Sequence, residues 1–184
     1  MKHEIIKKAI IILGSYSGIN SSSKTSKSEN LCEEFVASVI EDTILSVKWS
    51  FALKRIDNIE GNTSSFTEIA NVDDCIKLAV IVPSNLQFYL ESGRIYFKGD
   101  RLTSIFYYSK RIIDNLLSND SIFWRQVPES FKMLASLNLA TQVAFAMYSD
   151  SLFADGLKKQ YLLKLEQIRQ IYSIDYNLIN SGEL

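Results

Sequence analysis

Hydrophobic residues recur at helical spacing toward both ends of the chain, with a different pattern between them. In the first part, two apolar stripes follow the capping-box sequence Ser26-x-x-Glu29, which satisfies unpaired amides where a helix begins. After residue 120 the period of 3.6 returns, and Pro128 suits the first turn of a helix because its missing N–H costs nothing there. The predicted helices cover residues 2–13, 27–47, 128–149 and 151–175.

The middle of the chain begins with an alternating pattern. The stretch VKWSFALKR places Trp49, Phe51 and Leu53 at every second position. Side chains two residues apart lie on the same face of a strand, so the pattern predicts a strand at 48–55 with these three side chains on one face. No turn signal separates this strand from the helix before it, so the stretch marks the passage from helix to sheet.

Two further segments complete the predicted β region. Residues 57–74 carry five acidic residues and no basic one, and are predicted to form an exposed loop. From Cys75 to Arg111 the alternation is typical of strands throughout. Ser92-Gly93 and Gly99-Asp100 are predicted to be hairpin turns between these strands.

These elements together predict an α+β protein. The predicted architecture is a mainly α-helical bundle of about four helices, with one small antiparallel β-sheet inserted at about residues 48–111. The whole chain, residues 1–184, is predicted to be a single domain that ends in a flexible tail at 177–184. The residues predicted to lie in the core are Trp49, Phe51, Leu53, Leu137, Phe145 and Leu165.

The composition restricts the range of functions. Twenty Lys and Arg side chains stand against 21 Asp and Glu, and the resulting net charge of −1 disfavours a surface that binds nucleic-acid phosphates. Cys32 and Cys75 fit no metal-binding spacing and are predicted to be buried and reduced, as in a cytosolic protein. The longest uncharged run, residues 133–149, is interrupted by polar side chains and therefore predicts a core helix rather than a membrane span.

Residues that carry catalytic chemistry are sparse in the sequence. His3 is the only histidine, which disfavours catalytic triads and histidine-based zinc sites. A small hydrolase built on carboxylates would need two acids that converge in a cleft. The helical acids that come in close pairs are Glu33-Glu34 and Glu41-Asp42, and Glu33 and Glu41 are predicted to face solvent. We therefore expect no enzyme activity, no catalytic residue, no cofactor and no metal ion.

Several blocks of the sequence resemble one protein family in their order and spacing. The blocks are IKKAIIILGSYSGINS, WSFALKR, YLESGRIYF, IFYYSKRIIDN, FWRQVPESFKMLASLNLATQVAFAMYSDS and LLKLEQIRQIYSIDY, which together span about residues 4–176. In these blocks the chain resembles the head-to-tail adaptor family of short-tailed bacteriophages, the tail tubular protein A-like family. The glycine-centred hairpin and the Leu-Ala-rich third helix are among the shared features.

This resemblance implies a structural protein of the virion neck. The chain would form a ring of about a dozen copies beneath the portal protein, join it to the tail nozzle protein, and leave an axial channel for DNA. DNA would pass through without specific binding, which agrees with the balanced charge of the chain. Synthesis would take place in the bacterial cytoplasm, and neither a membrane nor a cofactor would be involved.

Two segments have the least local reason to be ordered in an isolated subunit, and we predict that they contact neighbouring subunits or the portal. They are the acidic segment 57–74 and the C-terminal tail. The predicted interface residues are Asp57, Glu60, Glu68, Asp73, Asp74, Asn177, Leu178, Ile179 and Leu184.

A second interpretation remains open. The same helices could form a non-catalytic interaction module of a bacterial complex that binds one partner through a hydrophobic groove. The two interpretations differ in stoichiometry, because an adaptor joins a ring whereas a module binds its partner one to one.

Overall fold

The computed structural model describes residues 2–17, 22–118, 127–148 and 151–180, and side chains within 2–14, 26–118, 127–148 and 152–172. The chain divides into two compact units. One, the helical unit, consists of Met1–Val47 together with Asn115–Leu184, and the other, the β unit, consists of Lys48–Asp114.

Five helices are present in the described residues. Their bounds are α1 Lys2–Ser17, α2 Ser22–Ser46, α3 Lys110–Leu117, α4 Glu129–Met147 and α5 Ser151–Asn180. The short α3 was not predicted, because the alternating pattern was extended through Arg111 whereas the last strand ends at Ser109. The long helices start or end several residues away from the predicted positions, notably at Ser17 and Asn180.

Helix α4 lies at the centre of the helical unit and contacts α1, α2 and α5. Its buried residues occupy nearly its whole circumference, which is the pattern of a helix surrounded by others. They are Phe131, Leu134, Ala135, Ser136, Asn138, Leu139, Ala140, Thr141, Val143 and Ala144. The alanines leave room for the neighbouring helices to approach closely.

Two buried threonine hydroxyls in this unit are satisfied by backbone carbonyls. Thr141 Oγ1 donates to Leu137 O at 2.7 Å, and Thr43 Oγ1 donates in the same way to Val39 O at 2.7 Å. Burying an unpaired hydroxyl would cost free energy, so these bonds let polar side chains occupy the helix interior.

The β unit contains six strands. Their bounds are β1 Leu53–Glu60, β2 Thr67–Glu68, β3 Cys75–Val82, β4 Gln87–Glu91, β5 Arg94–Lys98 and β6 Arg101–Ser109. They form two antiparallel sheets, the first in the order β1-β6-β3 and the second in the order β2-β5-β4. One hydrophobic cluster draws on both sheets, and its members are Ile69, Val72, Cys75, Ile95, Phe97, Leu102, Ile105 and Tyr107.

The predicted architecture is therefore wrong, although the chain is α+β. Instead of a helical bundle with one small inserted sheet, the described residues form five helices and two three-stranded sheets. Ser92-Gly93 does join a hairpin, with φ of 48° and 80° at its two residues. Gly99-Asp100 does not, because β5 and β6 belong to different sheets and the chain passes there from one sheet to the other.

Contacts from the β1–β2 connection hold this passage between the sheets. The Gly61 N–H donates to Asp100 O at 2.8 Å, and the Gly99 N–H donates to Asn62 O at 3.1 Å. A Cβ atom on Gly61 would lie 2.4 Å from Gly99 O and 2.5 Å from the Phe97 ring. Only glycine fits at this position without a shift of the surrounding chain.

The strand predicted at 48–55 is also a misassignment. Ser50–Ala52 forms a 3₁₀ turn, and the Ala52 N–H donates to Trp49 O at 3.0 Å, so β1 begins only at Leu53. Trp49 is fully buried, whereas Phe51 and Leu53 are half-buried. The three side chains therefore do not share one strand face, because the turn interrupts the alternation.

The segment 57–74 is not simply an exposed loop. Its first residues complete β1, Thr67–Glu68 forms β2, and Ile69 and Val72 belong to the hydrophobic cluster. The five acids led to the prediction of an exposed loop, so these apolar positions were not predicted to be buried.

Two of the residues predicted for the core of the helical unit are less buried than expected. Leu165 is buried and Leu137 is half-buried, but Phe145 is 46% exposed. Val143 and Ala144 take the inward positions on the last turns of α4, so Phe145 falls on the outer side of the helix. Among the described helices, none carries an apolar stretch long enough to cross a bilayer.

Candidate assembly surface

Strand β4 exposes a row of large apolar side chains at the edge of the second sheet. Phe88 is 47% exposed, Tyr89 41% and Leu90 39%. In the described residues β4 is hydrogen-bonded to β5 on one side and pairs with no strand on the other. This unpaired side, with residues Gln87–Glu91, is called the β4 edge below.

The inner face of β4 continues a buried row. Phe88 is opposite Phe97, and Leu90 is opposite Ile95 in the antiparallel register. Phe97 and Ile95 are fully buried, whereas Phe88 and Leu90, one strand further out, are exposed. The hydrophobic cluster of the β unit therefore reaches the surface at the β4 edge.

The outer face of the second sheet carries three aromatic rings. Tyr89 stacks on Tyr96 with centroids 4.7 Å apart and an interplanar angle of 8°. Phe66 meets Tyr89 edge to face at 4.9 Å. Aromatic pairs contribute stabilisation beyond that of burying their surface area, so these contacts stabilise the outer face as well as the pairing of the strands.

One acid of the 57–74 segment completes this outer face. Tyr96 Oη donates to Glu68 at 3.2 Å, and Arg94 forms an ion pair with the same carboxylate at 3.2 Å. Desolvation and the negative charge of Glu68 raise the pKa of Tyr96, so this hydroxyl remains a donor at neutral pH.

The hairpin geometry fixes which backbone groups the β4 edge presents. In a two-residue hairpin the pair that closes the turn, here Glu91 and Arg94, exchanges hydrogen bonds within the hairpin. Since the pattern alternates, Tyr89 and Gln87 also direct their peptide groups to β5. The N–H and C=O groups of Phe88 and Leu90 are directed to the open side.

The β4 edge lacks several of the features that usually protect an edge strand. Between Gln87 and Glu91 there is no lysine, no proline and no bulge, and Glu91 is the only charged residue. Proteins blunt exposed edges with such features to prevent pairing with other chains. An edge that lacks them while exposing Phe88 and Leu90 is suited to bind another protein.

Three of the acids predicted as interface residues are bound within the β unit. Asp57 accepts hydrogen bonds from Ser104 and Arg55, and these bonds hold its pKa below the usual value. Glu68 is paired with Arg94 as described. Asp74 forms an ion pair with Lys54 at 2.7 Å.

The remaining predicted residues are placed differently. Glu60 is exposed at the end of β1, and Asp73 lines an open polar cleft of about 390 Å³ with Arg94 and Arg111. At the C-terminus α5 extends to Asn180, so the segment predicted as a flexible tail is helical from 177 to 180. That helical part includes Asn177, Leu178 and Ile179, while Leu184 lies outside the described residues.

The helical unit has exposed apolar residues of its own. On α5 the exposed ones are Leu152, Leu162, Leu163 and Ile171. Ile11 on α1 is also exposed, beside a groove of about 500 Å³ between α1 and α2 that Ile6 and Ile10 line. Both units therefore present hydrophobic surface to solvent.

The paired helical acids and the two cysteines have the following surroundings. Glu33, Glu34, Glu41 and Asp42 are all exposed on α2, and Glu33 forms an ion pair with Lys2 at 2.7 Å. Burial raises the pKa of the Cys32 thiol to about 12 and that of Cys75 to about 11, so both remain protonated. Within the described part of the chain, no three His, Cys, Asp or Glu side chains are grouped as metal ligands.

No protein family matches the chain, and no curated protein matches its sequence significantly.

The prediction of interface residues from sequence missed the β4 edge. A signal was present in QFYLE, because aromatic or aliphatic residues there occupy both strand faces rather than alternate with polar ones. In the structure β4 lies at the edge of its sheet, and its apolar side chains are exposed on both faces.

Proposed function

We propose that this protein is a structural adaptor subunit of a bacteriophage neck, which forms a ring between the portal protein and the tail nozzle and leaves a channel for DNA. The observation that carries the proposal furthest is that both units expose large apolar side chains, among them Leu152, Leu162 and Leu163 on α5. The family itself is proposed on the resemblance of the sequence blocks.

The distribution of exposed apolar residues supports an assembly role. A ring subunit touches two neighbours and, in a neck, further proteins above and below, so it needs several contact surfaces. The β unit offers Phe88 and Leu90, and the helical unit offers Leu152 and Leu163 on α5. Exposed apolar surface of this kind marks sites of protein association.

The charge of the chain suits a DNA channel that must not retain its cargo. A net charge of −1 gives little long-range attraction for phosphates. Basic side chains such as Arg94 and Lys54 are paired with Glu68 and Asp74, which lowers their attraction for phosphates.

One observation favours the alternative, an interaction module with a single partner. The groove between α1 and α2 has an apolar floor at Ile6 and Ile10, with Lys7 and Glu29 at its rim. A single amphipathic helix of a partner fits such a groove. This module would bind one to one and would form no ring.

The test is a pull-down of the tagged chain from cells that produce the phage particle, followed by negative-stain imaging of the purified complex. The proposal expects a ring-forming portal protein to co-purify, with this chain present in many equal copies. Recovery of one small partner in equal amount, without rings, would exclude the adaptor and favour the module. The variant Ile10→Glu, which charges the groove, serves as a matched control because only the module requires that groove.

A further inference from the structure

We propose that free copies of this protein associate in pairs through the β4 edge, where the two β4 strands pair antiparallel about Tyr89 to form one continuous sheet. The occupant of the edge is thus a second copy of the chain. This inference does not rest on the adaptor function.

The sequence of β4 is self-complementary in this register. In QFYLE, polar residues stand at both ends, Phe88 and Leu90 flank the centre, and Tyr89 is the centre itself. A two-fold axis through an interface requires that each surface match itself. Antiparallel pairing about Tyr89 sets Phe88 against Leu90 of the second copy, and Gln87 against its Glu91.

The backbone groups are placed for the same register. Phe88 and Leu90 direct their peptide groups to the open side, so each Phe88–Leu90 pair exchanges both of its hydrogen bonds. Tyr89 faces its counterpart as a non-hydrogen-bonded pair, the position in which side chains on adjacent strands approach most closely. A register shifted by one residue would instead direct these groups away from each other.

Both faces gain from the pairing. On the inner face, Phe88 and Leu90 continue the buried row of Phe97 and Ile95. In the pair, the strand of the second copy replaces solvent beside Phe88 and Leu90. On the outer face, the stack of Tyr89 on Tyr96 continues into the same pair of the second copy.

Charges do not oppose the contact. The amide of Gln87 meets the carboxylate of Glu91 from the second copy, and Arg94 flanks that carboxylate within its own hairpin. The two Glu91 residues lie at opposite ends of the paired strands, about 13 Å apart along the strand direction. Like charges therefore do not meet.

A two-fold contact is closed, because it joins two copies and leaves no free surface of the same kind for a third. It is consequently distinct from the head-to-tail contact that generates a ring, and it describes the free chain before or outside assembly. Because β4 is covered in the pair, pairing would also protect this edge from uncontrolled association.

The test uses cysteine cross-linking of the full-length chain. Tyr89→Cys places a thiol opposite itself in the proposed pair, whereas Phe88→Cys and Leu90→Cys, the matched controls, do not face themselves. The native Cys32 and Cys75 are buried and provide an internal control for background oxidation. Under mild oxidation we expect Tyr89→Cys to form a disulfide-linked dimer at least about tenfold faster than either control, because pairing raises the effective concentration of the two thiols.

A second measurement does not depend on any variant. In the unmodified protein, amide hydrogen exchange at Phe88 and Leu90 should slow as protein concentration rises, while exchange at Tyr89 should not change. Equal cross-linking rates for all three cysteine variants, or exchange at Phe88 and Leu90 that is independent of concentration, would overturn the proposal. These outcomes leave the portal pull-down unaffected, so the two proposals fail separately.

Discussion

Tyr89 and Tyr96 lie face to face on neighbouring strands, with their ring centroids 4.7 Å apart and their planes 8° from parallel. Tyr96 is the inner partner, since its strand is central in the second sheet, and its hydroxyl donates to Glu68. The stack therefore couples the exposed edge strand to the central strand of the second sheet.

Tyr96→Ala should destabilise the protein by about 1–2 kcal/mol, because it removes the stacked ring and the bond to Glu68 together. Tyr96→Phe keeps the ring and removes only the hydroxyl, so it should cost at most about 1 kcal/mol. Urea unfolding followed by near-ultraviolet circular dichroism measures both values. Equal losses for the two variants would show that the ring stack contributes nothing.

A pair of glycine substitutions tests the packing at the passage between the sheets. Gly61→Ala should destabilise the protein by about 1–3 kcal/mol, because its Cβ would overlap Gly99 O and the Phe97 ring. Gly156→Ala on α5 meets nothing within 4 Å, and should stabilise the protein by about 0.5–1 kcal/mol through helix propensity. In thermal unfolding we expect a lower Tm for Gly61→Ala and a higher Tm for Gly156→Ala. An unchanged Tm for Gly61→Ala would contradict the described contacts.

Two phenylalanines on α4 test which face of this helix is buried. Phe131 is fully buried, so Phe131→Ala should cost about 3–5 kcal/mol. Phe145, which the sequence placed in the core, is 46% exposed, and Phe145→Ala should cost no more than about 1 kcal/mol. Chemical denaturation measures the difference. A large loss for Phe145→Ala would restore the original core prediction.

Asp74 gives the β unit a defined dependence on pH. Burial alone would raise the pKa of this carboxyl, but the ion pair with Lys54 and the hydrogen bond from Ser109 outweigh burial and hold the pKa below its usual value. Because the pKa of Asp74 is lower in the folded than in the unfolded protein, ionised Asp74 stabilises the fold at pH values above its unfolded-state pKa. This stabilisation is lost as the pH falls through the folded-state pKa.

Asp74→Asn should therefore reduce the free energy of unfolding at pH 7 by about 1–2 kcal/mol, and the difference from the unmodified protein should shrink below about pH 4. Unfolding curves at a series of pH values provide the measurement. Asp73→Asn, on the neighbouring exposed residue, is the control and should change stability by less than about 0.5 kcal/mol at any pH. A deficit for Asp74→Asn that persists at low pH would show that the charge is not the cause.

The sequence predicted the structure best where a single periodic pattern extends over many residues. The helices around α4 are long enough for the 3.6-residue pattern to be recognised, and the φ > 0 turn at Ser92-Gly93 has a direct chemical signature. Helix α3 was missed because KRIIDNLL makes only about two turns, which is too short for periodicity to be separated from a strand pattern.

The division into two sheets was not visible in the sequence for a different reason. A turn signal such as Gly99-Asp100 predicts that the chain changes direction, but not which strands then pair. That choice depends on contacts distant in sequence, such as the bond from Gly61 to Asp100. The exposure of β4 likewise depends on its place at the edge of a sheet, which alternation alone does not determine.

The adaptor proposal depends on how many copies of this chain enter the complex. Native mass spectrometry of the complex purified with the portal protein determines this number directly. The account predicts a closed assembly with about a dozen copies of the chain bound to one portal ring. A complex that contains a single copy of the chain with a single copy of its partner would contradict it.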